Sequence, residues 1–318
     1  MWGAPHLYCL DSRWPVGWDG EVAATDTAID VFEEHRPVLM GVAYRMLGRV
    51  VDAEDVVQDA WLRWSAADQA QVREPRAYLV RVTTRLAIDR LRHVQARREH
   101  YVGPWLPEPL VTDYGPTVPD TAEQAVLADS VSIAVLVVLE SLSPLERAVF
   151  VLREAFGFPF SEIALTLDRG EPAVRQLAAR ARKHVDEGRP RYEVDPDERR
   201  NLTERFLAAA ADGDLEGLMS LLAPDVRLVG DSGGKAKAPL RVIETADKVG
   251  RFLDGVARSG LREGAELEVR FLELNGADSV LLLVDGKPDS VFQLDVVDGQ
   301  IASVYIIRNP DKLVGFSS

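Results

Sequence analysis

The residue pattern most suggestive of a chemical role lies between positions 174 and 185, where apolar and polar residues recur at helical spacing. The polar side of this predicted helix offers guanidinium, amide and ammonium groups, which can reach base edges and phosphates in a DNA major groove. That side consists of Arg175, Gln176, Ala179, Arg180 and Lys183. An amphipathic helix with a solvated basic face is the alternative for this segment taken alone.

The residues just before this helix predict the element that positions it. Phe160, Ile163, Ala164 and Leu167 have the spacing of a short helix, and the turn 168–170 separates that helix from the basic one. Two short helices joined by such a turn are typical of a helix-turn-helix unit. We therefore expect the basic helix to be presented to DNA by a compact helical domain.

A second basic segment lies at residues 76–98, which contain seven arginines and one aspartate. Arg81, Arg85 and Arg92 fall on one side of a helix predicted to begin at Pro75. Such arginines could hold phosphates, and Trp61 could stack on unpaired bases as single-strand binders require. Packing in the core is the alternative for the aromatic ring.

The helix before Pro75 has an acidic outward side. Asp52 is predicted to cap this helix. The outward side carries Glu54, Asp55, Gln58 and Asp59. A surface of this kind is either merely solvated or the docking face for a protein partner.

Composition restricts the class of protein. The 318 residues suffice for two or three domains, and 47% apolar with 28% charged residues indicates a globular chain. No apolar run is long enough to span a membrane, and the first 25 residues lack the pattern of a secretory signal, so we expect a cytoplasmic protein. Cys9 is the only cysteine, which excludes an internal disulfide and a cysteine-based zinc site. The net charge of −14 conceals the two basic segments, whose local field is what DNA encounters.

Composition shifts along the chain predict five segments. They are a loose extension (1–25), a first all-α domain (26–100), a proline-rich linker (101–120), a second all-α domain (121–189) and an α+β domain (195–318). In the last segment, Asn-Gly at 275 and Asp-Gly at 285 and 298 predict hairpins between strands near 266–274, 279–284, 290–297 and 301–307. We expect these strands to form an antiparallel sheet packed against helices.

Two blocks of residues resemble the extracytoplasmic-function sigma factors of the sigma-70 family. Residues 52–61 and 75–92 resemble region 2, and residues 142–183 resemble region 4. The resemblance implies core RNA polymerase and promoter DNA as partners. It also implies that the helix bearing Glu54, Asp55, Gln58, Asp59 and Trp61 binds polymerase. The arginines 81, 85 and 92 would then grip the −10 element, and the helix after Gly170 would read the −35 element.

The C-terminal segment resembles the SnoaL-like, nuclear-transport-factor-like cone fold, which a sigma-J-like subgroup of these factors carries. Three sequence motifs of the subgroup are present, at 105–109, 231–235 and 309–313. The resemblance implies that they form regulatory contacts between domains. Their members of interest are Trp105, Pro107, Glu108, Asp231, Gly233, Gly234, Lys235, Asn309, Pro310, Asp311 and Lys312.

Two other functions stay open at the level of sequence. One is a helix-turn-helix regulator that senses a ligand and acts without polymerase. The other is a cone-fold isomerase joined to a DNA-binding module, with Asp231 as base and Tyr305 as hydrogen-bond donor. All five histidines precede this domain, and a shared fold does not confer activity, so we expect no enzyme and no cofactor. Whether a small molecule enters the cone is left open.

Overall fold

The computed structural model describes residues 18–98, 100–112, 132–188, 196–259 and 265–316 of the chain. Its first helical group contains three helices, α1 (Trp18–Leu47), α2 (Val50–Ser65) and α3 (Pro75–Arg98), with a 3-10 turn at Gln69–Gln71. The α1 helix begins at Trp18, inside the segment 1–25 that the sequence predicts as a loose extension. Residues 1–17 of the extension lie outside the described residues.

Asp52 does not cap α2, contrary to the prediction. The residue before the helix is Arg49, whose side chain makes no capping bond. Asp52 lies in the first turn instead, buried, and accepts two hydrogen bonds from the guanidinium of Arg90. A carboxylate in the first turn of a helix interacts favourably with the helix dipole, and here its hydrogen bonds to Arg90 also connect α2 to α3.

The second helical group contains α4 (Ile133–Leu139), α5 (Pro144–Phe150), α6 (Phe160–Leu167) and α7 (Glu171–Gly188). Ser143 and Glu146 form a reciprocal capping box at the start of α5, because each side chain accepts from the other's backbone N–H. A π-helical turn at Val151–Ala155 follows α5. The turn between α6 and α7 contains Asp168 in the left-handed conformation, with φ 54° and ψ 53°.

The two helical groups share one hydrophobic core, which includes Leu39 and Trp64 from the first and Val149 and Val174 from the second. Arg147 of α5 is almost fully buried at their junction. Its guanidinium donates to the carbonyl of Met46 at 2.7 Å and to that of Leu139 at 2.8 Å. The last turn of α1 is therefore capped by a side chain from the second group.

The sheet domain begins with α8 (Pro196–Asp212) and α9 (Leu215–Leu221) and ends with two short turns after β6, Pro310–Lys312 and Val314–Phe316. Between them lie β1 (Leu222–Asp231), β2 (Ile243–Glu244), α10 (Ala246–Ser259), β3 (Leu267–Leu274), β4 (Ala277–Val284), β5 (Lys287–Val297) and β6 (Gln300–Ile307). The strand order is β2-β1-β6-β5-β4-β3. The predicted hairpins join β3 to β4, β4 to β5 and β5 to β6. The sheet is mixed rather than antiparallel, since β1 runs parallel to β6.

The two faces of the sheet are covered differently. One face packs against α8, α9 and α10 through residues such as Phe206, Val249 and Val304. The other face is covered by residues from outside the sheet domain, among them Leu106 of the linker and Ile133 of α4, together with the C-terminal Phe316. Because these residues belong to the same apolar cluster, the sheet domain, the linker and the second helical group fold against one another.

Candidate functional site

A buried carboxylate, that of Asp231 at the end of β1, joins the sheet domain to the linker. It is fully buried and accepts hydrogen bonds from three donors. The Tyr101 hydroxyl donates to Oδ1 at 2.5 Å, and the Leu106 backbone N–H donates to Oδ2 at 2.7 Å. The third donor is the Lys312 ammonium, at 2.6 Å from Oδ2. We call this group, comprising Tyr101, Leu106, Asp231 and Lys312, the linker clasp.

Lys312 binds the linker in a second way. Its ammonium also donates to the Leu106 carbonyl and lies 4.2 Å from the centroid of the Trp105 indole. A cation over an indole face is attracted by the ring quadrupole. The motifs at 105–109, 231–235 and 309–313 are therefore brought together at one point, where each contributes to the clasp.

The two glycines after Asp231 make room for this arrangement. Gly233 has φ 57°, and a β-carbon there would lie 2.7 Å from the Asn309 amide nitrogen. Gly234 has φ 74° and packs against Val102. Glycine adopts positive φ without steric cost. Side chains larger than hydrogen would push the linker away from the sheet.

Other C-terminal residues hold the clasp residues in place. The side-chain amide of Asn309 donates to the Tyr101 hydroxyl at 2.8 Å. The side-chain oxygen of Asn309 accepts from the Asp311 N–H and so caps the turn Pro310–Lys312. Lys235 and Asp311 form an exposed ion pair at 2.5 Å. Burial, and then the bond to Asp231, raises the pKa of Tyr101, so its hydroxyl stays a donor.

The linker also contacts the first helical group. The Glu108 carboxylate accepts from the Val50 N–H at 3.2 Å, at the start of α2, and lies 3.9 Å from Arg49. Burial raises the pKa of Glu108, although these two donors oppose the shift. Pro107 is buried beside it, and the Trp105 ring lies close over Gly48 in the α1–α2 loop.

Asn275 makes a third junction, which sequence reasoning missed. This buried residue occupies the β3–β4 turn with φ 53°. Its amide donates to the Tyr44 hydroxyl of α1 at 2.8 Å, and the Tyr44 hydroxyl donates to the Glu108 carbonyl at 2.8 Å. Its backbone N–H and side-chain oxygen both bond the backbone of Leu110. The sequence predicted only a hairpin here, because Asn-Gly is favoured in two-residue hairpin turns and that preference alone explains the presence of Asn275.

The predicted DNA-reading face of α7 is on the surface. Arg175, Gln176, Ala179, Arg180 and Lys183 are all exposed. Arg175 pairs with Glu171 and lies 4.6 Å from the centroid of the Phe160 ring, and Arg180 pairs with Glu146 at 2.9 Å. Exposed pairs of this kind contribute little stability and can be exchanged for phosphates.

The three arginines predicted to grip the −10 element differ in their surroundings. Arg92 is exposed and pairs with Asp89. Arg81 is half-buried, and its Nε has no hydrogen-bond partner among the described residues. Arg85 donates from Nε to the Thr166 carbonyl at 2.8 Å, at the C-terminus of α6. The structure thus attaches one of the three to the second helical group.

On α2, the acidic side is exposed as predicted from the spacing, with Asp55 bonded to Arg90 at 2.8 Å. Trp61 does not share that exposure. Its ring packs edge-on against Phe32 at 5.1 Å and belongs to the margin of the core. The exposed residues of the acidic side are Glu54, Asp55, Gln58 and Asp59.

Comparisons with known proteins identify the family. The family model of sigma-70 region 2 matches residues 31–98, and that of sigma-70 region 4 matches residues 132–185. The ECF RNA polymerase sigma factor SigJ of Mycobacterium tuberculosis is 43% identical over 90% of this chain and 93% of its own length. The chain belongs to the extracytoplasmic-function sigma factors of RNA polymerase. A probable ECF sigma factor of the same species, SigI, is 32% identical over 91% of the chain and 95% of its own length.

The crystal structure of SigJ matches this sigma factor with a TM-score of 0.71 and 39% identity, over 90% of this chain and 98% of SigJ. The sequence-based prediction of two helical regions followed by an α+β cone is confirmed by this match and by the observed order of elements. The sigma-70 regions imply core RNA polymerase and promoter DNA as partners, and they disfavour a repressor that acts without polymerase. No helix among the described residues has the length and hydropathy to cross a bilayer.

Proposed function

We propose that this sigma factor initiates transcription from two-element promoters and that its own sheet domain holds it in a closed form until polymerase binds. The observation that carries the proposal is the linker clasp. A buried carboxylate of the sheet domain holds the linker by its backbone, on the segment that joins the two helical groups. The linker is the part of the chain that must adjust when those groups separate along a promoter.

The α7 helix is proposed to read the −35 element. Its five candidate residues lie on one exposed face, and none of them is covered by a described part of the sheet domain. Arg175, Gln176 and Arg180 have side chains that match guanine, adenine and phosphate. The proposed −35 surface is therefore available in the closed form.

The proposed −10 surface is different, because Arg85 is bonded to α6. A guanidinium that donates to the last carbonyls of a helix satisfies groups that otherwise lack partners. While these bonds hold, Nε and one terminal nitrogen of Arg85 are directed at α6 rather than at DNA. We infer that Arg81, Arg85 and Arg92 act together on the −10 element only after α6 has moved away from α3.

The acidic side of α2 is proposed as the polymerase-binding surface. Glu54, Asp55, Gln58 and Asp59 are exposed there, and Val51 and Leu62 on the same helix are 53% and 57% exposed. Exposed apolar residues beside charges are typical of a protein interface. Trp61 is proposed to support this surface by packing beneath it rather than by touching polymerase.

We propose no catalysis and no cofactor for the sheet domain. Asp231, the candidate base, is fully buried and already accepts from three donors, one of which is the Lys312 ammonium, so its oxygens are not accessible to a substrate. Burial raises the pKa of Tyr305 to about 12, so that side chain stays neutral. No contact among the described residues supports a small-molecule ligand in the cone, so none is proposed.

The test is run-off transcription with purified core polymerase on a set of promoter fragments, at limiting sigma factor. Tyr101→Phe removes the hydroxyl that donates to Asp231 and accepts from Asn309, while it keeps the ring. We expect more transcript from this variant than from the wild type. Arg251→Ala, an exposed change on α10, is the matched control.

The outcomes separate the two parts of the proposal. Equal transcript from wild type and Tyr101→Phe would refute regulation by the clasp while leaving the sigma function intact. Absence of specific transcript from every fragment would refute promoter-directed initiation by this chain.

A further inference from the structure

The β3 strand is the last strand of the sheet and carries an exposed apolar stripe. Leu267, Val269 and Phe271 point to one face and are 42%, 42% and 41% exposed. Glu268 and Arg270 alternate with them on the opposite face and are also exposed. An edge strand with exposed apolar residues is a template for pairing with another chain.

The backbone N–H and C=O groups of every second residue in this stretch point away from the sheet. The Thr112 N–H bonds the Glu273 carbonyl, and the Asn275 N–H bonds the Leu110 carbonyl, so odd-numbered residues face outward. The Glu266 carbonyl accepts from Asp285 on the inner side, which gives even-numbered residues the opposite direction. Alternate residues of a strand share a direction, so residues 267, 269 and 271 present their N–H and C=O groups outward. Those groups have no backbone partner among the described residues.

The linker limits how far another strand can extend along this edge. Val111 forms a bridge with Leu274, which occupies the C-terminal end of β3. Among the residues that the structure describes, the free edge is therefore the stretch 267–272. A strand centred near residue 269 fits this length, whereas one centred at 271 or beyond would overlap the linker.

We propose that a second copy of this chain occupies the free edge, through antiparallel pairing of β3 with β3 about a two-fold axis at Val269. In this register, Glu268 of each copy lies opposite Arg270 of the other, and Leu267 lies opposite Phe271. Opposite charges directly across a strand pair stabilise it, and like charges destabilise it. The axis makes the same contacts twice, as a two-fold interface requires.

The charges exclude the neighbouring symmetric registers. An axis at 268 would place two glutamates face to face, and an axis at 270 would place two arginines face to face. Of these three registers, only the axis at 269 brings outward-facing backbone groups together without placing two like charges directly opposite each other. Glu268 and Arg270, which are hydrogen-bonded to each other in the single chain, thus determine the register of the strand pair.

The dimer is expected to depend on concentration, because pairing of one short strand buries less surface than a standard protein interface. Sedimentation velocity of the full-length protein over a concentration series would measure it. We expect the wild type to shift from monomer to dimer. Arg270→Glu and Glu268→Arg should each weaken dimerisation by roughly tenfold or more, since both create like-charge pairs.

Two combinations make the test specific. The double variant Glu268→Arg with Arg270→Glu restores unlike pairs and should dimerise like the wild type. An equimolar mixture of the two single variants should form a heterodimer, because every pair between the two chains is then complementary. Arg251→Glu, an exposed charge reversal on α10, should leave the dimer unchanged.

A disulfide reports the register directly. Paired residues with outward backbone groups lie about 5.5 Å apart between α-carbons, within disulfide reach. Val269→Cys in a Cys9→Ser background should therefore give a covalent dimer under mild oxidation. A wild type that stays monomeric at every concentration would overturn the proposal, and so would single variants that dimerise as well as the wild type.

Discussion

Asp231 and Lys312 form an ion pair from which solvent is excluded, with side-chain exposures of 0% and 2%. Removing two charges from water is costly, and their attraction compensates only when the remaining donors and acceptors are satisfied. Tyr101 and the Leu106 backbone supply those partners here. The pair therefore specifies where the linker lies on the sheet more than it adds stability.

Lys312→Met tests this interpretation. It leaves the buried carboxylate of Asp231 without a counter-charge, so we expect the free energy of unfolding to fall by about 3 kcal/mol. Adding Asp231→Asn to the same chain removes the uncompensated charge and should recover part of that loss. Urea unfolding of the two single variants and the double variant measures the coupling free energy between Asp231 and Lys312. If the effects of the two substitutions simply add, this interpretation of the ion pair is contradicted.

Asp295 on β5 gives a prediction that depends on pH. Burial raises the pKa of Asp295 to about 6, with Arg199 opposing the shift. The carboxyl of Asp295 therefore binds its proton more tightly in the folded protein than in the unfolded chain. Its contribution to the free energy of unfolding is fully present below pH about 4 and is lost as the pH rises through 6. Asp295→Asn should raise the free energy of unfolding by about 2 kcal/mol at pH 7.5 and by little at pH 4. Thermal unfolding at both pH values checks this, and an equal effect at the two values would exclude titration of Asp295 as its cause.

At the scale of elements, the α6–α7 turn shows how one residue orients a helix. Asp168 ends α6 in the left-handed conformation, and the next N–H, of Arg169, bonds back to the Ala164 carbonyl at 3.0 Å. The carbonyls of Leu165 and Thr166 are left for Arg85. The same turn therefore sets the angle of α7 and exposes the acceptors that attach α6 to α3.

Substitution at Asp168 should follow the backbone conformation. Asp168→Gly removes the steric cost of positive φ and should stabilise the protein by up to about 1 kcal/mol. Asp168→Val should destabilise it, because a β-branched residue strongly disfavours that conformation. Thermal midpoints of the two variants test the direction, and a stabilising valine would contradict the assignment of the turn.

Local signals in the sequence predicted most of these elements. The capping box at Ser143, the helix-turn-helix spacing and the Asx-Gly turns each act over a few residues, so they can be read along the chain. The errors have a long-range cause. The side chain that accepts from the Val50 N–H at the start of α2 is Glu108, 58 positions away in the chain, whereas the sequence suggested Asp52 as the capping residue. The parallel pairing of β1 with β6 joins the two ends of the sheet domain and has no local signature.

In the candidate site, too, local features were predicted from the sequence and contacts between distant segments were not. The motifs around Asp231 and Lys312 were identified by resemblance, and the exposed side of α7 by its periodicity. The bond from Arg85 to α6 and the junction at Asn275 were not predicted. Both depend on packing between segments, and an arginine or an Asn-Gly pair looks the same in a sequence whether or not such a neighbour exists.

For the whole molecule, the contacts that hold the two helical groups together include the shared hydrophobic core, the buried Arg147 that caps α1, and Arg85 on the end of α6. The linker clasp fixes the segment between the groups against the sheet domain. In the proposed promoter-bound form, separation of the groups must open the shared core and break the bonds of Arg147 and Arg85, and the free energy for that step has to come from contacts with polymerase and DNA.

This argument predicts a measurable separation of the helical groups. With fluorophores on cysteines introduced at the exposed positions Arg63 and His184, in a Cys9→Ser background, energy transfer should decrease when core polymerase is added. Arg85→Ala should lower the transfer in the free protein as well, because it removes the hydrogen bonds to α6. Arg92→Ala is the matched control on the same helix, since Arg92 pairs only with Asp89 among the described residues. Unchanged transfer on binding polymerase would mean that the closed form persists in the complex and that Arg85 does not need to be released.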